Sequence, residues 1–223
     1  YFNIKKIAPE RVQTAELGYR GTIRKNIFVD MVGYVSRYRN FIGYKIGADV
    51  TPIPGTTFIQ VNNIYRIAAN SDEIVYTYGY SVGVNYYLNN HISFAANYSY
   101  NKLDKKSDDP LIPAFNTPLN KYNIGITGRD LEFTLFNKFH FKNYGFSVNY
   151  RWVEGFQYEG SPQFTGYVPQ YDFTDAQISK RIPKIKATFK AGASNLLNEQ
   201  RFTVYGGPTT GRLAYFSVLV ELN

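Results

Sequence analysis

The sequence contains no cysteine. That excludes a disulfide framework, a thiolate metal site and a cysteine nucleophile. Histidine is nearly absent: His91 and His140 are the only two. Neither has a second imidazole at ligand spacing, so zinc binding and a histidine base have no support in the pattern. No run approaches the roughly 18 apolar residues of a transmembrane helix, and mean hydropathy is mildly negative. A helical span is excluded, whereas a barrel is not, because a barrel strand shows lipid only every second residue. Tyr1 to Ile7 lack the charged start and apolar core of an export leader. The expectation is a leader already removed or a chain continued from upstream.

Tryptophan and methionine occur once each, yet there are 21 Tyr and 17 Phe, which make aromatics 17% of the 223 residues. Such enrichment suits tyrosine belts at membrane interfaces, with an aromatic-rich sandwich core as the alternative. The formal charge of +8 is scattered along the chain, mostly beside expected turns. A nucleic-acid footprint would cluster on one element, so no nucleic-acid partner is expected.

From Ile74 to Leu88, Tyr76, Tyr78, Tyr80, Val82, Val84 and Tyr86 hold one parity, while Thr77, Gly79, Ser81, Gly83 and Asn85 hold the other. Period 2 sustained that long predicts a strand. Asn89-Asn90 supplies a tight hairpin, after which Ile92, Phe94, Ala96, Tyr98 and Tyr100 resume the apolar parity. The same alternation marks Ala15–Arg24, Ile27 to Phe41, Lys121 to Thr127, Gly145 to Val153, Tyr171 to Arg181, Ile185 to Leu196 and Arg212 to Leu222. That makes about nine strands.

Connections alternate in length. Ile42 to Glu73, Lys102 to Asn120, Glu154 to Gln170 and Asn198 to Gly211 are long, whereas Lys25-Asn26, Asn89-Asn90 and Ile182-Pro183-Lys184 are short. The exception is Arg129 to Tyr144, whose Leu131 to Phe141 portion either extends a strand or forms a small excursion. Short turns on one side and long loops on the other are the habit of outer-membrane barrels, and strands of about 10 residues suffice to cross an apolar band about 25 Å tall. The fold class is therefore read as all-β, a transmembrane antiparallel up-and-down β-barrel. An odd strand count leaves an edge that lipid does not tolerate, so this is expected to be the C-terminal part, residues 1–223, of a larger barrel.

Several runs carry a family likeness. Pro9-Glu10-Arg11-Val12 followed by Glu16-Leu17-Gly18-Tyr19-Arg20, then Phe115-Asn116-Thr117-Pro118, then Asp175-Ala176-Gln177, Asn195-Leu196-Leu197-Asn198, Gly206-Gly207-Pro208 and Gly211-Arg212 stand in order along the chain. In these runs, over nearly its whole length, the sequence resembles the C-terminal barrel portion of TonB-dependent outer-membrane receptors of the Bacteroidetes type. One departure is the terminus, where Leu222 takes the place of the family's final aromatic. The resemblance implies a barrel of about 22 strands with a plugged lumen. It places the plug domain and earlier strands upstream of Tyr1, and it implies residence in the bacterial outer membrane. The partners it implies are outer-membrane lipid, a periplasmic energy-coupling protein acting through the N-terminal plug, and a surface lipoprotein or other complex subunits. It implies no cofactor and no enzymatic activity.

Local motifs weigh little against this. Gly206 to Leu213 echoes a phosphate loop, but Arg212 and Leu213 stand where Lys and Ser or Thr are needed, and no helix pattern follows. Asp104, Asp108 and Asp109 offer oxygen ligands for a hard cation, but the intervening Lys105 and Lys106 read as a solvated loop tip. No nucleophile elbow or arranged triad is present.

Long-loop aromatics are the candidate ligand-binding residues: Tyr44, Phe58, Phe115, Phe156, Tyr158 and Tyr167, with Phe164 beside them; packing the loops together is the commoner role for such residues, and stacking on a ligand the other. The polar strand parity supplies the lumen candidates Arg20, Asn97 and Arg151, within a set that includes Glu16, Arg24, Asn85, Asn101, Asn149, Asp175, Gln177, Lys186 and Lys190. The expected function is energy-coupled import of a bulky nutrient, such as a metal chelate, glycan or peptide. Two alternatives stand beside it, an accessory barrel subunit of a surface secretion or assembly complex and a passive porin.

Overall fold

A computed structural model describes residues 5–104, 111, 116–136, 138–160 and 165–221. Strands dominate: β1 Arg11–Ile23, β2 Ile27–Arg39, β3 Ile42–Pro52, β4 Ile59–Asn70, β5 Val75–Tyr87, β6 Ile92–Asp104, β7 Asn120–Leu135 and β8 Phe139–Val153. They continue as β9 Phe156–Glu159, β10 Thr165–Val168, β11 Tyr171–Ile182, β12 Ala187–Ser194, β13 Arg201–Phe202, β14 Thr209–Thr210 and β15 Leu213–Val220. Tyr, Phe, Val and Ile on one parity, against Ser, Gly, Asn and Thr on the other, favour extended chain over helix.

Nine strands form one sheet in the order β1-β2-β5-β6-β7-β8-β11-β12-β15. Neighbours in space are neighbours in sequence once three small hairpins, β3–β4, β9–β10 and β13–β14, are set aside. All three lie in long connections. The loops read as irregular from Ile42 to Glu73 and from Glu154 to Gln170 are thus largely paired strands, and Tyr44, Phe156, Tyr158 and Tyr167 sit on strands. On β9 and β10 the alternation runs for only four residues each, whereas β3 alternates cleanly and β4 does so with Asn63 and Ile64 out of phase.

The long link between Arg129 and Tyr144 resolves as strand extension. β7 continues to Leu135 and β8 begins at Phe139. The register shifts between Gly128 and Leu131, and Asp130 adopts a positive φ of 47°. This irregularity moves the outward parity from Ile124, Ile126 and Gly128 to Leu131, which faces Tyr144. With that, every second connection of the sheet is short.

Contacts divide the chain into two compact units. The first comprises Tyr1–Glu16, Tyr34–Tyr78 and Lys102–Phe115. Within it Asn70 ties three segments: its Oδ1 accepts the Ala8 N–H at 2.7 Å, and its Nδ2 donates to Ala8 O at 2.9 Å and Asn40 O at 2.7 Å. Buried Leu111 lies over Gly43, where a Cβ would stand 2.0 Å from the Leu111 carbonyl oxygen.

The second unit comprises Leu17–Gly33, Gly79–Asn101 and Asn116–Asn223. Its registers place Ala96, Ile124, Tyr150 and Thr174 in one lateral row, and Phe94, Ile126, Val148, Ala176, Ala193 and Ala214 in another. This apolar face is open: Leu17 is 83%, Ile178 65% and Phe216 68% exposed. Contiguous bare apolar surface on that scale does not suit water. Aromatics flank it along β8. Tyr122 stacks on Trp152 at 5.3 Å at one end, and Phe133, Phe141 and Tyr144 cluster at the other, with Phe133 stacked on Phe141 at 5.0 Å. Tyr144 and Trp152 are separated by roughly 26 Å along the strand at ~3.3 Å per residue, close to the height of an apolar membrane band with aromatic girdles.

Candidate functional site

The opposite parity gathers the polar side chains. Asn97 pairs with Asn123, Asn123 with Arg151, and Arg151 with Phe173, which makes one row across four strands. Asn123 Nδ2 donates to Asn97 Oδ1 at 2.9 Å, and the Arg151 guanidinium lies 5.5 Å from the Phe173 ring. The next rows are Ala95, Gly125, Asn149 and Asp175, then Ser93, Thr127, Ser147, Gln177, Gly192 and Tyr215. The Tyr215 hydroxyl donates to Gln177 Oε1 at 3.0 Å across Gly192, where a Cβ would meet the phenol oxygen at 2.6 Å. Only glycine lets that ring lie flat.

Arg20 is paired: its Nη2 stands 2.6 Å from Asp30 Oδ2, with side chains 72% and 38% exposed. Arg151 has no carboxylate at ion-pair distance among the described residues. Two members of the expected lumen set fall elsewhere. Arg24 and Lys186 hold positive φ angles of 55° and 50° in the turns after β1 and before β12. The turns need left-handed residues, and those positions take them out of the strand alternation.

The expected aromatic set is distributed. Tyr44 on β3 carries the Arg66 guanidinium 3.8 Å above its ring, a cation–π contact that only the pairing of β3 with β4 creates. Phe58, 72% exposed, lies in the turn joining those strands. On the β9–β10 hairpin Tyr158 pairs with Gly166 and Tyr167 with Gln157, so Phe156 and Tyr158 share one face and Tyr167 takes the other. The three aromatics of that hairpin therefore do not share a face. Phe115 and Phe164 lie outside the described residues, as do Asp108 and Asp109. Asn123 and Phe173 were legible in principle, since both hold the polar-side parity beside Asn97 and Arg151.

The family-like runs near the end converge into a polar knot. Asp175 Oδ1 accepts the Asn195 N–H at 2.8 Å, and Asn195 Nδ2 donates to Glu199 O at 2.7 Å and Thr210 O at 3.2 Å. Asn198 Oδ1 accepts the Arg212 N–H at 2.9 Å. These residues hold the β12–β15 connection together. Among the described residues, no group of three His, Asp or Glu side chains is placed to hold a metal.

A nine-stranded antiparallel sheet with one apolar and one polar face, long loops on alternate connections and this terminal knot defines a class. The family model described as TonB dependent receptor-like, beta-barrel matches residues 1–196, and the chain belongs to that family, whose members are receptors and transporters of the Gram-negative outer membrane. Similar solved structures agree in fold. The copper transporter OprC superposes with a TM-score of 0.66 at 17% identity over 96% of this chain and 30% of that one. The FrpB iron transporter from Neisseria meningitidis gives 0.66 at 13% identity over 96% and 32%. The ferripyoverdine receptor of the outer membrane of Pseudomonas aeruginosa gives 0.60 at 15% identity over 96% and 27%. The chain thus spans about 30% of the length of the solved structures that it matches. No curated protein matches it in sequence.

Proposed function

We propose that this chain is the C-terminal part of the barrel of an energy-coupled outer-membrane receptor that imports a bulky nutrient, with metal chelates the leading class ahead of glycans and peptides. The observation that carries the reading is the segregation of the sheet into an apolar face and a polar face lined by Asn97, Asn123, Arg151 and Gln177. The proteins of similar fold include a copper transporter, an iron transporter and a ferripyoverdine receptor.

In this reading the apolar face meets outer-membrane lipid and the polar face lines the lumen. There Arg20, Asn97 and Arg151 meet substrate or hold a plug supplied by an upstream domain. Tyr44, Phe58, Phe115, Phe156, Tyr158 and Tyr167 capture substrate from outside. A TonB-type periplasmic protein drives transport through the plug, and a surface lipoprotein or another subunit caps the mouth.

The test uses the full-length protein in its own cell. Uptake of labelled ferric and cupric chelates, oligosaccharides and peptides is compared among wild type, a receptor deletion and a coupling-protein deletion. Loss of uptake of one class in both deletions is expected. Normal uptake with a secretion defect would overturn import in favour of an accessory subunit, and steady conductance of the purified protein in planar bilayers would favour a porin.

A further inference from the structure

We infer that Arg11, Arg37 and Arg39 form a binding site for the anionic phosphate of a membrane lipid headgroup, on the apolar parity of β1 and β2. The inference rests on the reading that this parity meets hydrocarbon. On β1, Arg11 and Gln13 share parity with Leu17, Tyr19 and Ile23; on β2, Arg37 and Arg39 share it with Val29, Met31 and Val35. The other parity is marked by polar pairs, Thr14 Oγ1 with Ser36 Oγ at 2.9 Å and Arg20 with Asp30. The three arginines therefore project on the side opposite those pairs, at the ends of β1 and β2 where the apolar run stops.

Among the described residues their charges are uncompensated. They line an open groove with Glu10, Val12 and Gln13. Among the described residues, no carboxylate lies at ion-pair distance from any of the three. The Arg37 Nε is shut off from solvent and has no hydrogen-bond partner. Glu10 is the one acid of the groove, and its carboxylate accepts the Ile42 N–H at 3.4 Å. Three guanidiniums against one carboxylate leave an excess positive charge that self-repels unless an anion fills the groove. At the edge of an apolar band, the anion present in quantity is lipid phosphate, and the guanidinium fork matches its oxygens.

The experiment titrates the detergent-solubilised full-length protein with short-chain phosphatidic acid, phosphatidylcholine of the same chain length, and inorganic phosphate, read by native mass spectrometry. Phosphatidic acid is expected to bind at least about tenfold more tightly than phosphatidylcholine, given the attraction of each basic residue for an anionic surface. Arg37→Gln with Arg39→Gln should abolish that preference, Arg37→Lys with Arg39→Lys should keep part of it, and Thr14→Val on the opposite parity should leave it intact. Equal binding of the two lipids, or a preference that survives the double Gln variant, overturns the site. Inorganic phosphate binding as tightly as phosphatidic acid overturns the lipid in favour of a free anion. The membrane reading is checked separately by quenching of Trp152 fluorescence with brominated acyl chains, taken as the difference between wild type and Trp152→Phe. No quenching removes that reading, whereas quenching without lipid preference removes only the phosphate site.

Discussion

Asp175 holds Asn195 by a hydrogen bond from the Asn195 N–H to its carboxylate at 2.8 Å. These residues belong to runs that are distant in sequence, and the bond closes the knot at the start of the β12–β15 connection. Asn195 is 2% exposed and has a positive φ of 50°, and its side chain also accepts the Glu199 N–H at 2.9 Å. Asn195→Ala removes the side-chain bonds and puts alanine in a left-handed conformation. The expected cost is about 1 to 3 kcal/mol, from the lost hydrogen bonds to half-buried Glu199 and exposed Thr210 and from the left-handed backbone of the new alanine. A fall in the urea midpoint of the folded barrel, and new trypsin cleavage at Arg201, check it. Asn195→Gly, which relieves the backbone but not the bonds, should recover only part of the loss.

The two faces of β7 give a paired prediction. Ile124 lies on the apolar row with Tyr150, while Asn123 lies on the polar row with Arg151. Ile124→Arg should destabilise the vesicle-inserted protein by about 1 to 2 kcal/mol, since Tyr150 lies between the midplane and the Trp152 girdle, while Asn123→Arg should cost far less. Urea titration in lipid vesicles measures both. Equal costs, or the reverse order, would remove the assignment of the apolar face to lipid.

The alternation that these substitutions exploit was readable from the sequence wherever the period ran unbroken, as from Tyr76 to Tyr86 and from Ile92 to Tyr100. It failed where a local event reset the parity. At Asp130 the left-handed residue and register shift exchange the faces within a few positions, so Leu131 and Phe133 read as a break although the strand continues. It failed too on β3–β4: β3 alternates cleanly, but Asn63 and Ile64 fall on the wrong parities of β4, and the contact of Arg66 with Tyr44 follows only from the pairing of the two strands. The site was half legible: parity put Asn97 and Arg151 on one face. Parity puts Asn123 on that face as well, but only the register across β7 sets it directly beside Asn97 and Arg151, because pairing between strands is a tertiary fact.

Gly43 offers a test of the first unit. A side chain there would enter the space of the Leu111 backbone, so Gly43→Ala forces Leu111 away without removing the β3–β4 pairing of Gly43 with Ala69. Amide exchange at Leu111 should accelerate by roughly tenfold or more as local opening becomes easier, while exchange across β7 and β8 stays unchanged. If Leu111 exchanges at the wild-type rate in the variant, the close approach is not maintained in solution.

Arg20 and Arg151 carry the same charge on polar parities, but their surroundings assign them different work. Arg20 is neutralised by Asp30 in an exposed pair worth about 0 to 1 kcal/mol. Arg151 has no carboxylate beside it among the described residues; its guanidinium rests near the Phe173 ring at 5.5 Å, a contact worth about 0.5 to 1 kcal/mol at an exposed site. Neither substitution to alanine should move the unfolding midpoint much. Removing Arg151, however, deletes a free cation from the proposed lumen, and an anionic chelate or an acidic plug side chain would lose its partner. Arg151→Ala should therefore lower uptake several-fold or more while Arg20→Ala lowers it little, and Arg151→Lys should recover part of the loss. Transport of the labelled substrate by cells with equal surface levels of each variant measures this. Equal uptake by the two alanine variants would mean that the isolated charge of Arg151 plays no part in transport.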